Sequence, residues 1–116
     1  MIEFKNLTKK TIHYAVFKKL YKKIFLKKFD LSVVFATPLL MTTLNKKYRN
    51  KNKSADVLSF LLERKEGEIF LNGNLPNLPY LFAHGAFHLL GYGHETESQA
   101  ELMQKKERAL FKSLQS

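Results

Sequence analysis

With 116 residues and no cysteine, the chain has room for one domain with one modest core, and no disulfide framework can stabilise it. No apolar run reaches the length of a membrane span, since the longest candidate, residues 78–92, is broken by Pro79, two histidines and two glycines. Twenty Lys and Arg face ten Asp and Glu, a net charge of +10. The excess is uneven: residues 1–53 hold fourteen basic and two acidic side chains, residues 54–116 six and eight. A basic half joined to a near-neutral half suggests a polyanion gripped by one part and presented to the other. The opening MIEFKNLTKK lacks the charged, apolar and small-residue order of a signal peptide. A cytoplasmic location is therefore expected, with no membrane partner and any metal held by histidine and carboxylate.

Residues 2–7 alternate as a strand does. Residues 9–29 read as one helix, with Val16, Phe17, Leu20, Tyr21 and Ile24 on one side and Lys18, Lys19, Lys22 and Lys23 on the other. The β-branched run 31–37 predicts a short buried strand. Thr37 and Pro38 supply an N-cap and a first-turn proline for a helix running to about Tyr48. The polar stretch 49–55 reads as a loop and 56–62 as a strand, after which Gly67 is expected to turn the chain into a strand over 68–71. The breakers of 72–79 precede a helix over 80–90. Thr96 and Gln99 form a capping-box pattern for a last helix, whose Ala100, Met103, Leu110 and Leu114 make a core stripe. No repeat or linker interrupts this order, so residues 1–116 are expected to form a single domain. The expected fold class is α/β: a small three-layer-like sandwich with a mixed sheet of about four strands.

Three of the four histidines fall in HGAFHLLGYGH, residues 84–94. His84 and His88 are four apart, which puts their β-carbons roughly 6 Å apart on one helix face. On a continuing helix His94 would lie about 15 Å further along the axis than His84. The helix must therefore end and the chain fold back, a reversal that Gly91 and Gly93 permit. Three neutral imidazoles with a fourth position open describe a catalytic rather than a structural zinc site. Such an ion lowers the pKa of its water to about 7. The helix ending in a glycine turn is metzincin-like. The glutamate that follows the first histidine in HExxH proteases is replaced here by Gly85, which leaves space and sets no negative charge against a phosphate.

The stretch HGAFHLLGYGH resembles the signature of the YbeY family of bacterial rRNA-maturation endoribonucleases, commonly H-G-x-x-H-L-x-G-Y-D-H. The resemblance continues in AELMQKKERAL, with Met103 and Glu107, and in LNKKYRNKNKSADVLSF over 44–60. It implies a single-strand-specific, zinc-dependent endoribonuclease acting in 16S rRNA 3′-end maturation and ribosome quality control, by metal-hydroxide attack on the phosphodiester. The implied ligands are His84, His88 and His94, holding one Zn2+ or another divalent transition metal such as Ni2+. An arginine facing the cleft falls on Arg49, whose guanidinium suits the charge that develops on phosphoryl oxygens. Arg49 is expected in a loop beside Lys46, Lys47, Lys51 and Lys53, the candidate RNA-binding lysines. Implied partners are rRNA and the small ribosomal subunit, with an assembly GTPase and small-subunit proteins. The competing reading is a noncatalytic RNA-binding assembly factor that keeps a structural metal.

Three positions depart from the family pattern. Gly93 stands in place of aspartate before the last histidine, and Leu61 in place of proline after Ser59-Phe60. Only residues 72–83 separate the strand 68–71 from His84, where the family has a longer segment with a helix of its own.

Overall fold

The computed structural model describes residues 1–51, 53 and 55–115. The elements run β1 (Ile2–Asn6), α1 (Ala15–Ile24), β2 (Asp30–Ala36), α2 (Pro38–Arg49), β3 (Val57–Glu63), β4 (Glu66–Asn72), α3 (Leu78–Leu89) and α4 (Glu97–Leu114). The four strands form one mixed sheet in the order β1-β2-β4-β3. β1 and β4 pair parallel to β2, and β3 runs antiparallel to β4 at the edge.

Strand alternation builds the three layers. Leu31, Val33 and Phe35 of β2, with Ile69 and Leu71 of β4, face a core shared with α1, α3 and α4. Val34, Ala36 and Leu58 face the other way and bury Met41 of α2. The α/β sandwich expected from the element order is thus present, with three helices on one side of the sheet and one on the other.

The first helix is shorter than periodicity predicts. Asn6 and Thr8 occupy the chain before it in side-chain turns: the Thr8 amide donates to Asn6 Oδ1 at 2.9 Å and Asn6 Nδ2 to the Lys10 carbonyl at 2.7 Å. Such local bonds offer the backbone an alternative to helix. At the other end Phe25 turns extended, which lets it stack on Phe29 at 4.6 Å with both rings buried. Within α1 the buried face is Phe17, Leu20 and Ile24, with Val16 and Tyr21 at its margin.

Gly67 does not make the β3–β4 turn. It is buried inside β4, where an added Cβ would lie 3.0 Å from Leu89 Cδ1 and 3.2 Å from Phe29 Cζ, so its smallness lets α3 and Phe29 close onto the sheet. Arg64 and Lys65 form the turn instead. Of the loop expected over 49–55, residue 49 ends α2, and residues 52 and 54 lie outside the described residues. Thr37 caps α2 through its hydroxyl, 3.2 Å from the Leu40 amide, and Pro38 opens the helix as expected.

Candidate metal centre

α3 lies across the sheet with Leu81, Phe82, Ala83, Ala86 and Phe87 buried. His84 and His88 look out from its half-buried edge. Gly85 faces β3 and β4. A Cβ there would sit 2.8 Å from Ser59 Oγ, 3.0 Å from Val57 Cγ2 and 3.3 Å from Ile69 Cγ2. Ser59 Oγ donates to the Gly85 carbonyl at 2.9 Å, tying helix to sheet. The glycine serves close packing against β3 and β4. That packing is a further reason for a glycine here, beside the expectation that it leaves the site free of negative charge.

The helix ends as His94 requires. The Tyr92 amide donates to the Phe87 carbonyl at 3.1 Å and the Gly91 amide to the His88 carbonyl at 3.0 Å, the two bonds of a Schellman motif. Gly91 carries the positive φ of 99° that this cap demands. Gly93 has no positive φ, and a Cβ there would meet only Gln99 Oε1, at 3.7 Å. One glycine therefore makes the reversal, and the second position accommodates a side chain. The turn brings the His94 ring centroid to 5.6 Å from that of His84 and 5.0 Å from that of His88.

One ligand atom from each of the three histidines lies within 4.8 Å of the others. The hydrogen bonds fix two of the tautomers. His84 Nδ1 is 3.0 Å from Glu107 Oε2, and His88 Nδ1 is 2.9 Å from the Tyr92 carbonyl. Carbonyl and carboxylate only accept, so both Nδ1 atoms carry the proton. In the neutral form that a metal binds, both Nε2 atoms then present lone pairs, and these atoms stand 3.1 Å apart. Two acceptors that close repel unless a cation lies between them. Imidazoles bonded at about 2.1 Å to a tetrahedral ion place their nitrogens about 3.4 Å apart, close to this separation. Burial first, and neighbouring His84 second, push the His88 imidazole below its ordinary pKa, against the Tyr92 carbonyl that favours the proton. A neutral ring is the form a metal needs. The donor set fits a metal ion on His84, His88 and His94.

Glu107 is 3% exposed, on α4 between Met103 and Leu110. Its carboxylate orients His84 in the manner of the outer partners of metal-binding histidines. Helical spacing puts Glu107 on the apolar stripe, four residues after Met103, and an acid on a core face is the signal that names such a partner. The contribution of the Tyr92 carbonyl has no side-chain signal at all.

A cleft of about 930 Å3 opens over the histidines and is lined also by Arg49, Lys51, Lys53 and Ser59, with Asp56 and Glu95 as its acidic members. Arg49 belongs to the last turn of α2 rather than to a loop. Asn50 adopts the left-handed conformation, φ 54°, and stops the helix there. Buried Asn45 donates from Nδ2 to the Lys53 carbonyl at 2.9 Å, drawing the following segment along the cleft. Lys46 and Lys47 do not line it, and the Lys47 ammonium lies 5.2 Å over the Tyr48 ring. The structure thus gathers Arg49, Lys51 and Lys53 with the three histidines and leaves Lys46 and Lys47 outside.

Fold and centre together define an α/β protein able to hold a metal ion on three histidines at the end of one helix. Its relatives are consistent. The family model described as Endoribonuclease YbeY matches residues 2–78 and 70–115, and the chain belongs to the YbeY family. Proteins named Endoribonuclease YbeY from Clostridium botulinum and Nautilia profundicola are each 31% identical to it. The first covers 96% of this chain and 88% of its own length, the second 98% and 91%. A third, from Desulforamulus reducens, is 32% identical over 73% of this chain and 72% of its own length. The solution structure of TM1509 from Thermotoga maritima shares the fold, with a TM-score of 0.61 at 20% identity over 99% of this chain and 92% of that one. The alignment with the Clostridium relative extends over 150 residues, more than this chain contains, so the relative has residues without counterparts here. The two stretches matched by the family model meet around residues 70–78, the same connection that is short between β4 and α3.

Proposed function

We propose that this protein is a single-strand-specific, metal-dependent endoribonuclease acting in 16S rRNA 3′-end maturation and ribosome quality control, with His84, His88 and His94 holding the ion and Arg49 the catalytic cation. The observation that carries the reading is the pair of histidine Nε2 atoms 3.1 Å apart in a cleft that also holds a guanidinium and two lysines. A divalent ion bound there, zinc or another transition metal, supplies Lewis acidity and a nucleophile from water at neutral pH. The chain does the rest. Glu107 and the Tyr92 carbonyl hold the two helical imidazoles as Nδ1–H tautomers, and the Schellman turn returns His94. Arg49 meets the charge that gathers on the phosphoryl oxygens as an oxygen adds to phosphorus and an ester oxygen leaves. Lys51 and Lys53 hold the flanking phosphates as point charges. A single strand suits a cleft that must present one phosphodiester to three converging rings.

The test is metal analysis of the purified protein together with single-turnover cleavage of rRNA fragments. Removing one transition-state donor typically costs about 10²–10³ in rate. Arg49→Lys should show that loss with metal content and RNA affinity retained, because lysine keeps the charge and loses the planar fork. His84→Ala should abolish cleavage. RNA binding with no metal-dependent cleavage by the wild-type protein would instead establish a noncatalytic assembly factor.

A further inference from the structure

Behind the metal centre lies a second groove, of about 860 Å3, between the end of α1, the β3–β4 turn and α4. Lys27 and Lys28 follow α1, Arg64 and Lys65 make the turn, and Lys106 projects from α4; no carboxylate lines the groove. Lys22 and Lys23 of α1 line it as well, and all seven cations are exposed. Among the described residues no ion pair joins any of them to an acid. Convergent like charges work against the compact state unless a polyanion meets them. The floor is apolar and aromatic, with Phe25, Phe29, Phe87, Leu90 and Tyr92. Leu26 at the rim is 86% exposed.

Tyr92 connects this groove to the centre, for it lines both cavities. Its carbonyl holds His88, and its ring stands edge-on to Phe87 at 5.6 Å, with the Lys106 ammonium 5.9 Å from its centroid. A track of cations that no carboxylate interrupts follows a phosphate backbone, and Tyr92, the half-buried aromatic beside it, can take a base, which is the chemistry that binds single-stranded nucleic acid. We propose that this groove is a second RNA-binding site, which holds the single strand flanking the phosphodiester that lies at the histidines. The proposal rests on the reading of the centre as acting on RNA. It adds that affinity depends on the length of the strand beyond the cleft.

The experiment compares the wild-type chain with the triple variant Lys27→Gln, Lys28→Gln, Lys65→Gln, three exposed residues outside the cleft. The probes are phosphorothioate oligouridylates, one short enough to fill only the cleft and one long enough to reach the groove, and binding is read by fluorescence anisotropy across a salt series. The long strand should bind the wild-type protein more tightly than the short one. The variant should lose that advantage, with a salt slope flatter by roughly 2 for three phosphate contacts at roughly 0.7 each, while the short strand binds as before. A wild-type slope in the variant, or no gain with length in the wild-type protein, overturns the proposal. So does competition for the groove by polyglutamate mimicry, if poly-phosphate strands fail to compete, because that marks an acidic polypeptide as the occupant. A wild-type protein that cleaves no RNA but shows the groove-dependent gain with length would refute the nuclease reading and leave the groove standing.

Discussion

Glu107 offers the sharpest test of how this centre is built, because it would act on a bound ion only through His84. Its carboxylate is almost wholly buried and lies 3.0 Å from His84 Nδ1. Glu107→Gln keeps an oxygen that can accept from Nδ1–H and removes the charge; Glu107→Ala removes both. Loss of an outer partner of a metal-binding histidine typically costs 10–100-fold in affinity, about 1.4–2.7 kcal/mol. The glutamine variant should fall near the lower end and alanine near the upper. His84 is also half-buried, so in alanine its Nδ1–H loses its partner where water only partly replaces it, which adds part of the roughly 1–3 kcal/mol cost of an unsatisfied group. Competitive titration against a chromogenic chelator gives the metal affinities, and thermal melting of the metal-free proteins checks that the fold persists. Wild-type affinity in a folded Glu107→Ala protein would refute the argument, showing that the ring is held without the carboxylate.

Other consequences follow from the same geometry. One ion per chain is expected, with severe loss of retention in His88→Ala and in His94→Ala; full occupancy in the latter, by elemental analysis, would show that the reversal does not bring that ring to the metal. The lowered pKa of His88 means that the unfolded chain binds the proton more readily, so this residue's contribution to metal-free stability is complete above its ordinary value of about 6.5 and lost as pH falls through the lower folded value; denaturant melts across that window should show stability rising with pH. Gly85→Ala should destabilise by about 1–3 kcal/mol through contact with Ser59 and Val57, whereas Gly93→Ala should be nearly neutral in the same melts. Neutralising Lys51 and Lys53 should flatten the salt dependence of RNA binding by roughly 0.7 per phosphate contact, and neutralising Lys46 and Lys47 should change it little, since they lie outside the cleft.

What the sequence discloses about this protein, and what it withholds, divides along physical lines. The Thr37–Pro38 start of α2 and the Thr96–Gln99 box of α4 are local chemistry, and both appear with their hydrogen bonds in place. The convergence of His84, His88 and His94 is legible because helix geometry leaves their spacing only one solution. The length of α1 is not, because apolar and lysine periodicity continues past residues whose side-chain turns and aromatic stacking compete with helix. Gly67 misleads, and the packing role of Gly85 stays hidden, for a related reason. A glycine in a sequence signals freedom of the backbone, but at these positions neither is in a positive-φ conformation, and what matters is the neighbour that a Cβ would strike. That neighbour comes from another element: Leu89 and Phe29 for one, Ser59 and Val57 for the other.

The short connection between β4 and α3 shows which parts of the centre depend on which parts of the chain. In this protein the connection is a tight, well-bonded turn. The Gly73 amide donates to the Ala36 carbonyl at 2.9 Å, the Asn74 amide to Asn72 Oδ1 at 3.2 Å, and Lys10 Nζ reaches the Asn74 carbonyl at 3.1 Å. None of residues 72–77 lines the metal cleft. The ligands are fixed elsewhere, His84 and His88 by α3 against β3 and β4, His94 by the Schellman turn, and the orienting carboxylate by α4. Arg49 arrives from α2 on the opposite side of the sheet from α3. The centre is thus assembled without a longer segment at this point. A relative with extra residues there would differ from this chain in what surrounds the cleft, and the ligand geometry would be common to both.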